Sequence, residues 1–255
     1  MKEKQKWAIG VILSILAAII VIFIVPLQLE LLTGANINLK ANVILLDPGH
    51  GGIDGGAEGT SGICEKDINL AIAWEIREMA EADGWKVIMT RTEDEGLYNK
   101  KEGGAIRSLK TQDLLERKRI IEDTGPLLAV SIHLNSFKQD RSVRGAQTFY
   151  PTGSGEQFVR EESKRLAEMI QQNLVSGLDD GTDRAALGKK DVMLLKNPKV
   201  PIVIVECGFL SNRQDESLLQ QQEYQKKLAE CIYKGIMEYS GREKKPSIEL
   251  IDNRV

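Results

Sequence analysis

The stretch Val43-Ile-Leu-Leu-Asp-Pro-Gly-His-Gly-Gly52 joins an apolar run of strand length to a glycine-rich loop. Two later apolar runs also end in polar residues, one in Ser131-Ile-His-Leu-Asn135 and the other in Glu206. In open α/β sheets, ligands bind at the carboxyl ends of the strands. The sequence therefore predicts that its least ordinary side chains meet at one rim of a sheet.

Strand and helix signals alternate along the chain after this first run. Strands are predicted at 43–46, 86–90, 127–132, 145–150, 192–195 and 202–205. Helices are predicted at 66–82, 111–124, 156–176 and 222–239, and Ser211 or Asn212 can cap a short one. Such alternation is typical of α/β layers around a largely parallel sheet.

The composition fits one globular domain with a sizeable core, since the 255 residues are 42% hydrophobic and 28% charged. It excludes a disordered chain, a collagen-like repeat and a disulfide-rich mini-protein. The 34 basic and 37 acidic side chains nearly balance, so the composition gives no electrostatic support for a nucleic-acid partner. Only two histidines occur, His50 and His133, so any histidine chemistry must use one or both.

The first part of the chain is predicted to lie outside the globular fold. Residues 7–25 are 19 consecutive uncharged residues, and a helix of that length spans ~28 Å, close to the hydrocarbon core of a bilayer. The lysines before them predict a cytoplasmic end at 1–6 and export of the rest. We interpret 7–26 as a membrane anchor, with a cleavable signal or a buried core helix as alternatives. A linker is predicted at 27–41, one globular domain at 42–240 and a charged tail at 241–255.

Each candidate site residue also has an ordinary structural explanation. His50 could be a surface-loop histidine, and His133 could be a hydrogen-bonded residue at the end of a buried strand. Glu65, at the start of the helix near Asp67, could compensate the helix dipole. Glu206 closes an apolar run, where a carboxylate is costly to bury unless it is paired or binds a metal. Taken singly, these residues leave structural and chemical roles open.

Taken together, the residues favour metal-dependent hydrolysis. Two histidines and a carboxylate are a common catalytic zinc set that leaves a fourth position for water. Zinc lowers the pKa of that water to ~7 and polarises a carbonyl group. A separate carboxylate can pass the water proton to a leaving amine, and Glu206 fits that role. Asp47 and Asp54 are the nearby carboxylates that could orient the rings of His50 and His133.

The three cysteines do not form the even-numbered pattern of a disulfide framework. Cys207 follows Glu206 on a predicted strand, so its side chain is expected on the opposite face of the sheet. We therefore predict that Cys207 is not bonded to Cys64.

Five motifs carry a resemblance to a known family: Leu46 to Gly56, Glu65 to Asp67, Ser131 to Asn135, Gly145 to Gln147, and Val205 to Asn212. Together they resemble the zinc-dependent N-acetylmuramoyl-L-alanine amidases of bacterial cell walls, over nearly all of residues 43–240. The membrane segment, the absence of wall-binding repeats and the insertion around 96–112 are similar to the germination-specific, sporulation-associated subgroup.

The resemblance implies a role for each matching position. His50, Glu65 and His133 would hold one Zn²⁺, and Glu206 would be the catalytic acid/base. The substrate would be the amide between the lactyl group of N-acetylmuramic acid and L-alanine of the peptidoglycan stem peptide. In the sporulation-associated subgroup, this cleavage takes place outside the cytoplasm, in spore cortex. It precedes the formation of muramic δ-lactam. The implied fold is a twisted, mostly parallel six-stranded sheet between helices, and some relatives work with an accessory lipoprotein.

Two other functions stay open from the sequence: another extracytoplasmic zinc hydrolase, such as a deacetylase or carboxypeptidase, and a non-catalytic, membrane-anchored wall-binding module. The segment 100–119 carries seven basic residues. Its ordinary interpretation is a solvated helix face, and the alternative is a patch for anionic stem peptides or for a partner. Cys64 lies beside Glu65, where a thiolate could compete for the metal.

Overall fold

The computed structural model describes residues 39–99 and 105–242. Its strands are β1 (Lys40–Pro48), β2 (Lys86–Met89), β3 (Pro126–Asn135), β4 (Gln147–Pro151), β5 (Leu187–Lys189) and β6 (Ile202–Phe209). Its helices are α1 (Glu65–Ala82), α2 (Ile106–Thr124), α3 (Gln157–Leu178), α4 (Arg213–Leu219) and α5 (Gln222–Ser240), with a 3₁₀ turn at Met193–Leu195.

The strands form one six-stranded sheet in the order β2-β1-β3-β6-β4-β5. Strands β2, β1, β3 and β6 run parallel, β4 is antiparallel to β6, and β5 is parallel to β4. The predicted α/β domain is therefore confirmed. Its sheet contains both parallel and antiparallel strand pairs, and most of the pairs are parallel. Because β1, β3 and β6 are adjacent and parallel, their carboxyl ends meet at one rim.

The apolar runs of the central strands supply side chains to both faces of the sheet. On one face, Ile44 and Leu46 of β1 lie in a core formed with α1, α3 and α5. On the other face, Leu45 and Ile204 pack with Ile121 of α2 and with the 3₁₀ turn. A strand that is covered on both faces needs no polar alternation, which explains the continuous apolar runs at 43–46 in β1 and 202–205 in β6.

The predicted strand at 192–195 is wrong. Met193–Leu195 forms a single 3₁₀ turn, and the sixth strand is β5, which is three residues long. A short apolar run does not distinguish a strand from a buried turn, and Leu194 and Leu195 are buried here without sheet pairing. The sequence of β5 contains a single apolar residue, Leu187, so pairing with β4 alone defines this strand.

Two strands extend further than the apolar runs that predict them. β3 ends at Asn135 and β6 at Phe209, so His133 and Glu206 lie within strands. α2 also begins earlier than predicted, at Ile106. The strand backbone therefore holds two of the candidate site residues.

No helix among residues 39–99 and 105–242 is long and apolar enough to cross a membrane. The predicted membrane anchor or signal at 7–26 lies outside the described residues, as do most of the predicted linker and tail. β1 begins at Lys40, within the stretch 27–41 that the sequence assigns to the linker.

Candidate active site

The candidate site forms where β1, β3 and β6 end at the same rim. His133 pairs in register with Glu206 across β3 and β6. These two residues alternate with Ile132 and Val205, which lie in the core beneath α1, α3 and α5. The side chains of His133 and Glu206 therefore project to the α2 face of the sheet, where the loop after β1 brings His50.

Three potential metal ligands converge at this rim: His50, Glu65 and His133. One donor atom from each residue lies within 4.8 Å of the other two. Glu65 Oε1 is 3.2 Å from His50 Nε2 and 3.0 Å from His133 Nδ1. The two imidazole rings stand edge to face, with centroids 5.0 Å apart. Two imidazoles and a carboxylate match the donor set of open catalytic zinc sites, so these residues fit such a metal.

Glu65 is the first residue of α1, yet its carboxylate is buried. Its Oε2 accepts the backbone N–H of Ala57 at 2.8 Å, and its Oε1 accepts that of Leu134 at 2.9 Å. Burial raises the pKa of Glu65, but hydrogen bonds from His133 and His50 outweigh burial and hold the pKa below its ordinary value. Compensation of the helix dipole alone does not account for a carboxylate aimed at two histidines.

His50 has a left-handed backbone conformation, with φ of 62°, which is uncommon outside glycine. Its Nδ1 lies 2.9 Å from Asp54 Oδ2, and Asp54 Oδ1 pairs with Lys110 Nζ at 2.7 Å. Burial lowers the pKa of His50, but hydrogen bonds to Asp54 and Glu65 outweigh it and raise the pKa to about 9. Asp54 is thus the carboxylate that orients His50.

Gly56 lies so close to the ligands that a larger residue would collide with them. Its φ is +72°, and a Cβ at this position would come within 2.6 Å of Glu65 Oε2 and 2.8 Å of His50 Cδ2. The loop between β1 and α1 therefore needs glycine here to pass against both side chains.

Glu206 lines a cavity of about 200 Å³ together with His50 and His133. Its Oε2 is buried and has no hydrogen-bond partner in the described part of the chain. Burial raises the pKa of Glu206, although the nearby His133 opposes that shift. Glu206 forms no salt bridge with a residue of 39–99 or 105–242, so a structural ion pair does not explain it. A carboxylate in this position is available for proton transfer.

Residues 44–238 match the Amidase_3 family, N-acetylmuramoyl-L-alanine amidase. The chain belongs to this amidase family. The matched range includes all four candidate residues, His50, Glu65, His133 and Glu206. The resemblance inferred from the motifs is confirmed, and the chain is an enzyme that hydrolyses the amide between N-acetylmuramic acid and L-alanine.

Similar proteins match this amidase over whole catalytic domains. The germination-specific N-acetylmuramoyl-L-alanine amidase of Bacillus subtilis is 35% identical over 242 residues, 94% of this chain and 96% of the relative. The solved CwlD amidase of Clostridioides difficile, in complex with the GerS lipoprotein, is 41% identical with a TM-score of 0.73, covering 78% of this chain and 98% of that one. The catalytic domain of CwlV from Bacillus (Paenibacillus) polymyxa var. colistinus is 26% identical with a TM-score of 0.66, covering 79% and 99%.

Two buried arginines hold the loop of the amidase that carries His50, and no sequence pattern predicts either contact. Arg117 donates hydrogen bonds to Asp47 Oδ1 at 2.8 Å, to the carbonyl of Pro48 at 2.7 Å and to that of His50 at 2.5 Å. Arg91 donates a further hydrogen bond to the carbonyl of Pro48 at 2.9 Å. The guanidinium groups thereby satisfy carbonyl groups that the sharp turn removes from the sheet.

Asp47 does not orient a histidine, although the sequence offered it for that role. Its carboxylate accepts the hydroxyl groups of Thr90 and Ser131, each at 2.6 Å, as well as Arg117. Burial raises the pKa of Asp47, but the Arg117 cation and the two hydroxyl groups outweigh burial and lower the pKa. Asp47 therefore ties α2 to the sheet beneath the site.

The three cysteines are free thiols, as predicted for Cys64 and Cys207. Cys207 lies in the core on the α1, α3 and α5 side of the sheet, opposite Glu206, and burial raises its pKa. Cys64 is partly buried and is not one of the three convergent ligands. The ligand set in the described residues therefore contains no thiol.

The basic segment 100–119 divides into two surfaces. Lys110 and Arg117 line the cavity, whereas the exposed Arg119 pairs with Glu116 and Asp123 on the outer side of α2. Residues 100–104 lie outside the described residues. Neither a solvated face nor a binding patch alone describes this segment.

Proposed function

We propose that this amidase is a zinc enzyme of spore-cortex peptidoglycan, in which His50, Glu65 and His133 bind one Zn²⁺ and Glu206 transfers the proton. The observation that carries the proposal is the convergence of the three donor groups within 4.8 Å. They meet beside a carboxylate oxygen that has no partner in the described residues. The bond cleaved is the amide between the lactyl group of N-acetylmuramic acid and L-alanine of the stem peptide.

The surroundings of the ligands support metal binding. Backbone N–H groups of Ala57 and Leu134 fix the Glu65 carboxylate, and Asp54 fixes the ring of His50 through Nδ1. Such partners hold metal ligands in their binding orientation and typically change metal affinity by about 10- to 100-fold. Zn²⁺ bound there would polarise the scissile carbonyl and lower the pKa of water to ~7.

Glu206 would act as general base and then as general acid. Its free Oε2 would take the proton of the water that attacks the lactyl carbonyl carbon. Because burial raises the pKa of Glu206, the protonated carboxyl group forms readily and can return the proton to the amide nitrogen as the C–N bond breaks. The products are the lactyl carboxylate of N-acetylmuramic acid and a peptide with a free L-alanine amino terminus.

The relatives support the biological setting. The Bacillus subtilis relative is named for germination and aligns with 94% of this chain. We therefore infer that the cleavage takes place in spore cortex, as the first step toward muramic δ-lactam. Peptidoglycan lies outside the cytoplasmic membrane, so the domain acts there, and 7–26 would anchor or export it. The Clostridioides difficile amidase solved with the GerS lipoprotein supports an accessory lipoprotein as a partner.

Product analysis tests this function directly. Purified muropeptides are digested with the zinc-loaded full chain, and the products are identified by mass, with Glu206→Gln as the matched control. An amidase generates free L-alanine amino termini, whereas a deacetylase releases acetate. Release of acetate, or no release of L-alanine amino termini by the wild-type chain, would refute the proposal.

A further inference from the structure

The cavity beside the candidate ligands is also lined by side chains that the proposed chemistry does not use. Among them are Leu114 of α2, Lys189 of β5 and Val192. Leu114 is 38% exposed, and Leu187, on the same face of β5 as Lys189, is 49% exposed. The proposed reaction does not use Leu114, Lys189 or Val192, so these side chains are available to a part of the substrate that does not react.

The charged side chains of the cavity are mostly paired with one another. Arg117 pairs with Asp47 at 2.8 Å and with Asp113 at 2.5 Å, and Lys110 pairs with Asp54 at 2.7 Å. Lys189 differs, because no ion pair with a carboxylate of the described chain includes it. Lys189 is therefore the lysine or arginine of this cavity that has no carboxylate within ion-pair distance in the described part of the protein, although its charge acts at longer range on the buried Glu206.

An aromatic ring fixes the position of the Lys189 ammonium group. Lys189 Nζ lies 3.9 Å from the ring centroid of Phe149, and Phe149 is itself buried in the core on this face of the sheet. An ammonium group over an aromatic face is held by the ring quadrupole, yet it keeps hydrogen-bond donors free on its other side. Lys189 can thus bind an anion in the cavity with little loss of side-chain freedom.

The chemistry of the substrate identifies the anion. In a muropeptide, the lactyl carboxyl group is consumed in the amide and the sugars carry no other charge, so the glycan arm is neutral. The peptide arm carries several carboxylates, and the one on the acidic residue that follows L-alanine is the nearest of them to the scissile amide. A charged hydrogen bond from an ammonium to a carboxylate is among the stronger polar contacts. The spare cation therefore matches the peptide arm and not the glycan arm.

We propose that Lys189 binds the free carboxylate of the acidic residue that follows L-alanine, and so selects stem peptides in which that carboxylate is not amidated. This inference rests on the proposed amidase function. It assigns the part of the cavity around Lys189 to the peptide, with Leu114 and Val192 as its apolar sides. Lys189 is thus a residue that determines specificity.

The test compares two muropeptides that differ only in the carboxyl group of the second stem residue, which is free in one and amidated in the other. The zinc-loaded full chain and its variant Lys189→Gln are assayed on both. We expect Lys189→Gln to raise KM for the free acid about tenfold, the loss of one charged hydrogen bond, and to leave KM for the amide unchanged. Lys190→Gln, which changes the exposed neighbouring lysine, should alter neither value, and Lys189→Arg should retain most of the preference for the free acid.

Three results would overturn the inference. Equal effects of Lys189→Gln on both substrates would mean that the lysine does not contact this carboxylate. A fall in kcat on both substrates with KM unchanged would mean that Lys189 acts through the charge of Glu206. The third such result is an unchanged KM for the free acid in Lys189→Gln. Failure of the wild-type chain to cleave either muropeptide would instead count against the proposed amidase function.

Discussion

Arg117 is the side chain on which the geometry of the site depends most, and replacing it by methionine tests that dependence. The guanidinium is 2% exposed and contacts Asp47, Asp113 and the carbonyl groups of Pro48 and His50. Methionine is similar in length and fills much of the same space. It removes the charge and every hydrogen-bond donor.

The loss of stability follows from what Arg117→Met leaves behind. Asp47 is 1% exposed and Asp113 is 7% exposed, so two buried carboxylates lose their cation together. Removing one partner of a buried ion pair costs about 3–5 kcal/mol. Since whole domains are stable by only about 5–15 kcal/mol, the variant should stay folded with little margin.

Urea unfolding of the metal-free full chain, followed by circular dichroism, measures this loss. With a denaturant slope of about 2 kcal/mol per molar urea, a loss of about 4 kcal/mol lowers the midpoint by about 2 M. Arg119→Met is the matched control, because Arg119 is on the same helix but is exposed and paired only at the surface, where ion pairs contribute little. A midpoint for Arg117→Met within about 0.5 M of the wild type would mean that the Arg117 cation does not stabilise the two buried carboxylates.

Two further predictions concern the carboxylates around the site. Asp54→Asn removes the charged partner of His50 Nδ1, so zinc affinity should fall by about 10- to 100-fold in a competition titration with a chelator; unchanged affinity would exclude Asp54 as the orienting group. Asp47 has a pKa below its ordinary value of 3.8, so its contribution to stability is present above pH 3.8 and is lost as the pH falls through the lower, folded-state pKa. Asp47→Asn should therefore be less stable than the wild type at pH 6, and the difference should shrink below pH 3.8 in acid-unfolding curves; a constant difference would contradict this.

The rim that carries the site could be predicted from the sequence, because apolar runs that end in polar residues mark the carboxyl ends of buried strands. This placed His50, His133 and Glu206 together, and the structure brings them to one cavity. Glu65 was a candidate from its position at the start of a helix, but the sequence pattern does not show that its side chain turns toward the histidines. A carboxylate at the start of a helix usually faces solvent, and only the loop at Ala57 and the strand at Leu134 turn this one inward.

The arginines and the sixth strand could not be predicted, for physical reasons. Arg117 follows Asp113 at the i,i+4 spacing that is typical of exposed helical ion pairs, and only the fold shows that the pair is buried against β1. β5 has no apolar alternation, so it exists as a strand because β4 offers an edge for pairing. Nearby, a buried 3₁₀ turn at Met193–Leu195 carries the apolar pattern of a strand.

The three candidate ligands and Glu206 have separate roles in the proposed reaction, and zinc content measured beside turnover on the same samples distinguishes these roles. Glu206→Gln keeps size and hydrogen-bonding capacity but cannot transfer a proton. It should bind one zinc per chain as the wild type does and cleave muropeptides about 10²- to 10⁴-fold more slowly. His133→Ala should lose zinc and activity together. Wild-type turnover or loss of zinc in Glu206→Gln, or full zinc content in His133→Ala, would rule out this division of roles.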